Sequence, residues 1–114
     1  MLNYGTTPLD RAFLALGDAT RRALVERLTR GSATVSELAA PLPMSLPAVM
    51  LHLKVLEQSG LVTSQKKGRV RTCQVDAKML SQAEHWIAER RQMWERNLDR
   101  LGAFLDETKP EDGK

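Results

Sequence analysis

The chain has 114 residues, of which 42% are apolar and 27% charged, and a net charge of +3. That size predicts one ordinary domain. The longest apolar stretches, Ala12 to Leu16 and Leu46 to Leu51, fall far short of the roughly 18 to 20 residues that span a bilayer, so no transmembrane helix is expected. Met1 to Thr7 hold neither a basic nor an apolar leader region, so no secretory signal is read there and a cytoplasmic location is expected. The single cysteine, Cys73, can form no internal disulfide and by itself offers too few thiolates for a zinc or iron–sulfur site.

Thr7-Pro8 reads as an N-cap with proline at the first helical position. It opens a short helix with Leu9, Phe13 and Leu16 as its expected inward face, ended by Gly17. Asp18 or Thr20 caps a second helix with Leu24, Val25 and Leu28 inward and Arg21, Arg22, Arg27 and Arg30 mostly outward, stopped by Gly31. Thr34-Val-Ser-Glu37 matches a capping box and starts a third helix, which Pro41 and Pro43 terminate. Ser45 is the next cap, and Pro47 sits in a first turn where a missing N–H is tolerated. The fourth helix then runs to Ser59-Gly60.

Beyond Gly60 the period changes to that of strands: Leu61 to Gln65, a turn through Lys66-Lys67-Gly68, and Val70 to Val75 predict a β-hairpin with a basic tip. From Ala77 to about Leu105 a single long helix is expected. Leu80, Ile87, Trp94 and Leu101 recur every seven residues, with Leu98 and Leu105 four after the last two. Such a heptad seam on a long helix calls for a second chain. The domain is expected over residues 1–107, followed by a polar tail over 108–114.

Charge is unevenly spread. Residues 1–44 sum to +1, residues 45–75 to +4 and residues 76–114 to −2. A cationic middle between near-neutral ends points to a polyanion surface. The order of three helices, a fourth after a tight linker, and a basic hairpin is that of a winged helix-turn-helix. The fold class is thus mainly α with a small β-hairpin, α-α-α-α-β-β-α, with Ile87, Trp94, Leu98, Leu101 and Leu105 of the last helix as the expected dimer interface.

On the fourth helix Val49, Leu53 and Leu56 share one stripe, with Leu46 and Ser45 beside it, and Pro47, Ala48, Leu51 and Lys54 fall opposite. A helix in a major groove needs small or polar groups facing bases and a cation for phosphate, which Ala48 and Lys54 supply. Leu51 on that face can only meet a thymine methyl or another apolar group. His52 flanks the core stripe, as a packing residue or phosphate donor. Lys66, Lys67, Arg69 and Arg71 surround Gly68, and strand alternation sends Arg69 and Arg71 to one face to grip backbone. The expected DNA contacts are therefore Ser45, Pro47, Ala48, Leu51, His52, Lys54, Lys66, Lys67, Arg69 and Arg71. The five aromatics, Tyr4, Phe13, Trp86, Trp94 and Phe104, all lie outside the basic segment. With no stacking platform there, duplex DNA is preferred over single strands.

The blocks Ala19-Thr-Arg-Arg22, Val35-Ser-Glu-Leu-Ala39, Met44-Ser-x-Pro-Ala-Val49, His52-Leu-Lys-Val-Leu56 and Ser59-Gly-Leu-Val62 resemble the ArsR-type (ArsR/SmtB) winged-helix transcriptional repressors. The resemblance runs from about Leu9 to Leu105. It implies a homodimer built from the first and last helices, with Leu9 and Phe13 joining the last-helix residues at the interface, the fourth helix as recognition helix, and repression by operator occlusion that an inducer relieves. It names no small-molecule inducer. One family metal site is a cysteine pair in the third helix, and Ser36 to Leu42 hold none. The other uses acidic and histidine ligands on the last helix, where Asp76, Glu84, Glu89 and lone His85 stand. Neither metal nor cofactor is expected, and the sequence resembles a subgroup without evident metal ligands. Cys73 reads as a small packing residue, with a redox role as the alternative because Arg71 is near enough to lower its pKa.

The leading expectation is a homodimeric, operator-occluding regulator of duplex DNA. Alternatives are a protein-interaction module on a winged-helix scaffold, or a metal- or redox-responsive repressor with a non-standard site. Catalysis is not expected, since Cys73, His52 and His85 show no spacing that would bring them together.

Overall fold

The computed structural model describes residues 7–108; Tyr4 and most of the expected polar tail lie outside them. The elements are α1 (Pro8–Ala15), α2 (Ala19–Thr29), β1 (Ala33–Thr34), α3 (Val35–Ala39), α4 (Leu46–Gln58), β2 (Val62–Lys67), β3 (Val70–Val75) and α5 (Ala77–Thr108). No helix among the described residues is long and apolar enough to cross a membrane.

Side-chain capping sets most of the helix starts. Thr7 accepts from the Asp10 N–H at 3.0 Å ahead of α1, and Ser45 accepts from the Ala48 N–H at 3.3 Å ahead of α4. At α3 the box is complete: Glu37 N–H donates to Thr34 Oγ1 and Thr34 N–H to Glu37 Oε1. Those two bonds satisfy donors that a five-residue helix could not pair internally. The Glu37 carboxyl is held below its ordinary pKa chiefly by the Thr34 backbone N–H, with the Thr34 hydroxyl second. Asp18 occupies the cap position of α2 without a side-chain cap bond.

The end of α1 is completed from α2. Arg21 Nε donates to the Ala15 carbonyl at 2.7 Å and its Nη2 to that of Leu14, while Arg22 Nη1 donates to the Leu16 carbonyl at 2.8 Å. With no basic residue in the last turn of α1, these guanidiniums supply both the partners and the charge that helix C-termini favour. The expectation that Arg21 points outward is corrected by this bonding. The inward face of α1 is corrected in part. Leu16 packs against the core as expected, but the residues that enter it are Ala12 and Ala15, whereas Leu9 and Phe13 are half-buried. Small residues let α1 approach α4 closely, where leucines would hold it away.

Leu24, Val25 and Leu28 of α2, Leu38 of α3, and Val49, Leu53 and Leu56 of α4 form the core with Leu61 and Val62. The helix α4 ends in a Schellman motif. Leu61 N–H reaches the Leu56 carbonyl and Gly60 N–H the Glu57 carbonyl, with Gly60 at φ +83°. The chain thus turns sharply from α4 into the hairpin.

The sheet has three strands in the order β1-β3-β2, all antiparallel. The sequence predicts only the hairpin; β1 adds Ala33 opposite Cys73 and Thr34 opposite Thr72. Two residues are too short to carry a period of two, so nothing local announces this strand. The hairpin turn is also displaced from its expected place. Lys66 and Lys67 belong to β2, opposite Arg71 and Val70, and the two-residue loop is Gly68-Arg69. Gly68 has φ +60° and Arg69 does not have positive φ, the pattern of a type II′ turn.

Contacts divide the chain into two units with the boundary between Ala83 and Glu84. The first unit contains the helices α1 to α4, the sheet and the start of α5. The second contains the rest of α5, a helix whose Ile87, Trp94, Leu98, Leu101 and Leu105 are all exposed, by 45% to 61%. It also carries an Arg90 guanidinium 4.4 Å from the centre of the Trp86 ring and a His85–Glu89 contact of 2.9 Å.

Candidate nucleic-acid interface

Burial of Val49, Leu53 and Leu56 fixes the rotation of α4, and the remaining residues follow from helical period. Pro47, Leu51 and Lys54 point directly away from the core and are exposed, Leu51 by 66%. Ala48 is half-buried beside them. Leu46, expected beside the core stripe, is exposed instead. It stands at the first position of the helix and overhangs the core towards Val35, where it lines a groove with Met50.

Register fixes the wing. The face of the hairpin turned to the helices pairs Val62 with Val75, Ser64 with Cys73 and Lys66 with Arg71. This face changes from apolar at the base to cationic at the tip. Lys66 and Arg71, rather than Arg69 and Arg71, therefore share a face, and Arg69 lies in the loop. The expected alternation failed because the turn is one to two residues later than the sequence suggests.

Arg71 is half-buried and ordered. Its Nη1 donates to Ser64 Oγ at 2.8 Å, and the Ser64 hydroxyl in turn donates to Glu57 Oε1 on α4. The chain of bonds ties the hairpin to α4 and leaves the other guanidinium N–H groups unassigned. A groove of about 570 Å³ lies between α4 and β3, walled by Leu46, Met50 and Leu51 and rimmed by Lys54, Glu57 and Arg71. Lys66, Lys67 and Arg69 are exposed and have no carboxylate partner within 4 Å among the described residues.

His52 turns inward. Its Nδ1 is 3.3 Å from Arg21 Nη1 and 3.9 Å from Asp18 Oδ2. Arginine only donates, so the shorter contact uses Nδ1 as acceptor and leaves the proton on Nε2. Sequence reasoning missed this tie, along with the Ser64–Glu57 bridge. Both join side chains seven or more residues apart on different elements, for which no periodicity gives a signal.

Cys73 is fully buried beside Ala33. Burial pushes its thiol pKa up, Glu57 pushes the same way, and Arg71 opposes them with a smaller effect. The burial agrees with the expected packing role, and the alternative, in which Arg71 lowers the pKa of this thiol, is outweighed by desolvation. Among the described residues, no three His, Cys, Asp or Glu side chains are grouped to hold a metal.

Residues 16–65 match the family described as a helix-turn-helix domain. The HTH-type transcriptional regulator Rv2034 of Mycobacterium tuberculosis is 54% identical over 67 residues, a match covering 59% of this chain and 63% of that protein, so less than two thirds of its length is spanned. The crystal structure of the ArsR family transcriptional regulator RHA00566 superposes with a TM-score of 0.74 at 48% identity, covering 78% of this chain and 98% of that one. The fold is also shared with the homodimeric winged helix-turn-helix DNA-binding domain Mb0332 of Mycobacterium bovis, at 19% identity and a TM-score of 0.58 over 82% of this chain and 83% of that one. A winged helix-turn-helix with a cationic wing, nearly half identical to a regulator that it covers almost completely, belongs to the ArsR family of transcriptional regulators.

Proposed function

We propose that the chain is a sequence-specific duplex-DNA-binding repressor that works as a homodimer and occludes an operator. The observation that carries the reading is the pairing of Lys66 with Arg71 on the wing face adjoining the exposed side of α4. Cations beside a protruding helix are what a major-groove reader with backbone contacts requires. Ser45, Pro47, Ala48, Leu51 and Lys54 are assigned to the groove, Lys66, Lys67, Arg69 and Arg71 to phosphates, and His52 to orienting Arg21 with its Nε2–H available to a phosphate. Dimerisation is assigned to Leu9 and Phe13 with Ile87, Trp94, Leu98, Leu101 and Leu105. Its support is the apolar row that α5 leaves in water and the homodimeric state of the mycobacterial domain that shares the fold. A cytoplasmic location and a non-catalytic role follow from this reading.

Selection of bound sequences from random duplex DNA tests it. A two-fold symmetric consensus, with half-sites about one helical turn apart, is expected. Recovery of no consensus, or equal binding of consensus and random duplexes, would sink it.

A further inference from the structure

The recognition face of α4 is short of hydrogen-bonding groups. Its outward residues through the first three turns are Leu46, Pro47, Met50, Leu51, Lys54 and Val55, with Ala48 half-buried beside them. Only Lys54 among them carries a polar side chain. The Ser45 hydroxyl accepts the Ala48 N–H and keeps one O–H donor, too few for a bidentate contact, and the His52 ring is held by Arg21. The first amide in line with Leu51 is Gln58, at the last helical residue and about 10 Å further along the axis.

Such a face cannot discriminate bases by bidentate hydrogen bonds beyond what Lys54 offers to guanine. It can discriminate by apolar contact. In the major groove the thymine 5-methyl is the apolar group on an otherwise polar base edge. Leu51, two-thirds exposed at the crest of the helix, gains burial against that methyl. Against any other base edge it would strip water from nitrogen and oxygen atoms while offering them no bond, which carries a penalty. Attraction and penalty then select the same base.

Resting on the DNA-binding reading above, we infer that this chain reads its operator through thymine methyl groups, with Leu51 as the principal specificity-determining residue and Ala48 beside it. The operator half-sites are thymine-rich where α4 enters, and Lys54 accounts for any guanine contact next to them.

The test replaces thymines of the selected operator one at a time with deoxyuridine, which keeps base pairing and removes only the methyl. At one or more positions in each half-site, affinity is expected to fall about fourfold, the equivalent of ~0.8 kcal/mol for one buried methyl-sized group. With Leu51→Ala the uracil penalty at its own position should shrink below twofold. Leu51 is a surface residue, so folding is not at stake, and the uracil series on the unaltered protein stands by itself in any case. A tightly bound operator indifferent to uracil at every position overturns the inference while leaving DNA binding intact. So does a penalty that persists unchanged in Leu51→Ala. Failure to select any duplex would instead remove the DNA-binding reading itself, and this inference with it.

Discussion

Arg71 on β3 donates to the Ser64 hydroxyl on β2 at 2.8 Å, and that hydroxyl passes a hydrogen bond on to Glu57 of α4. One cation of the hairpin is therefore part of the joint between the hairpin and α4. Lys66, its cross-strand partner, has no carboxylate tie of this kind among the described residues. The two should fail differently. Lys66→Ala is expected to weaken operator and random duplex alike and to lower the salt slope by about 0.9 for each phosphate it no longer neutralises. Arg71→Lys keeps the charge but not the forked donor geometry. It should leave the slope unchanged while reducing operator affinity, as the hairpin loosens against α4. Affinities over a salt series for both variants check this; a smaller slope in Arg71→Lys would mean that the phosphate contact of Arg71 depends on the guanidinium fork and not on charge alone.

Ile87, Trp94, Leu98, Leu101 and Leu105 present a continuous apolar row on α5. A row of that size in water favours self-association. The chain is expected to sediment as a dimer at micromolar concentration. Trp94→Glu should raise the dimer dissociation constant at least about thirtyfold, at a cost of about 2 kcal/mol or more for a central aromatic anchor. Operator affinity should fall with it, because each half-site is held by avidity. A monomeric chain with full operator affinity would overturn the assignment.

Cys73 offers a test by pH. Its thiol has a folded pKa above the ordinary 9.0, raised first by burial and then by Glu57. The folded state thus favours the neutral thiol, and that contribution is complete below pH 9.0. Above it, the unfolded chain loses its proton first, so stability should decline as pH rises towards the folded value. Cys73→Ser should flatten this decline, at a cost of about 1–3 kcal/mol for burying a hydroxyl. Alkylation at neutral pH should be slow and track unfolding. A rapid reaction in native buffer would restore the sensor reading.

His85 meets only Glu89, at 2.9 Å, on an exposed stretch of α5, and no three-residue metal-binding group forms among the described residues. DNA affinity is therefore expected to be the same with and without a chelator, and to shift less than twofold with stoichiometric zinc, cadmium or arsenite. Release of the operator by any of them would point to ligands contributed jointly by two chains.

Much of this architecture is legible in the sequence because its signals are local. Thr34 with Glu37, Ser45 with Pro47, and Gly60 after Gln58 each encode a helix end within four residues. Val49, Leu53 and Leu56 encode the rotation of α4. What is illegible depends on pairings across the fold. The strand β1 exists because β3 has an open edge for Ala33 and Thr34. The turn falls at Gly68-Arg69 because Gly68 supplies the positive φ at the first loop position, a demand that the polar run Lys66-Lys67 conceals. Arg21 and Arg22 look like surface charges until the bare carbonyls of α1 lie next to them.

Gly60 links α4 to the hairpin, and its backbone conformation makes a separate prediction. At φ +83° a side chain is strained whatever space it finds. Here the space is adequate, since a Cβ would meet the Met79 side chain at 3.6 Å, an ordinary contact. The penalty is thus conformational rather than steric, about 1–2 kcal/mol for alanine in the left-handed region. Gly60→Asn should lose less, because asparagine enters that region more readily. Urea unfolding at fixed protomer concentration measures both. If the Schellman turn only terminates α4, the folded variants keep operator affinity within about twofold. A larger loss in Gly60→Ala that exceeds its unfolded fraction would show that this turn also sets how the wing is held against the helix that enters the groove.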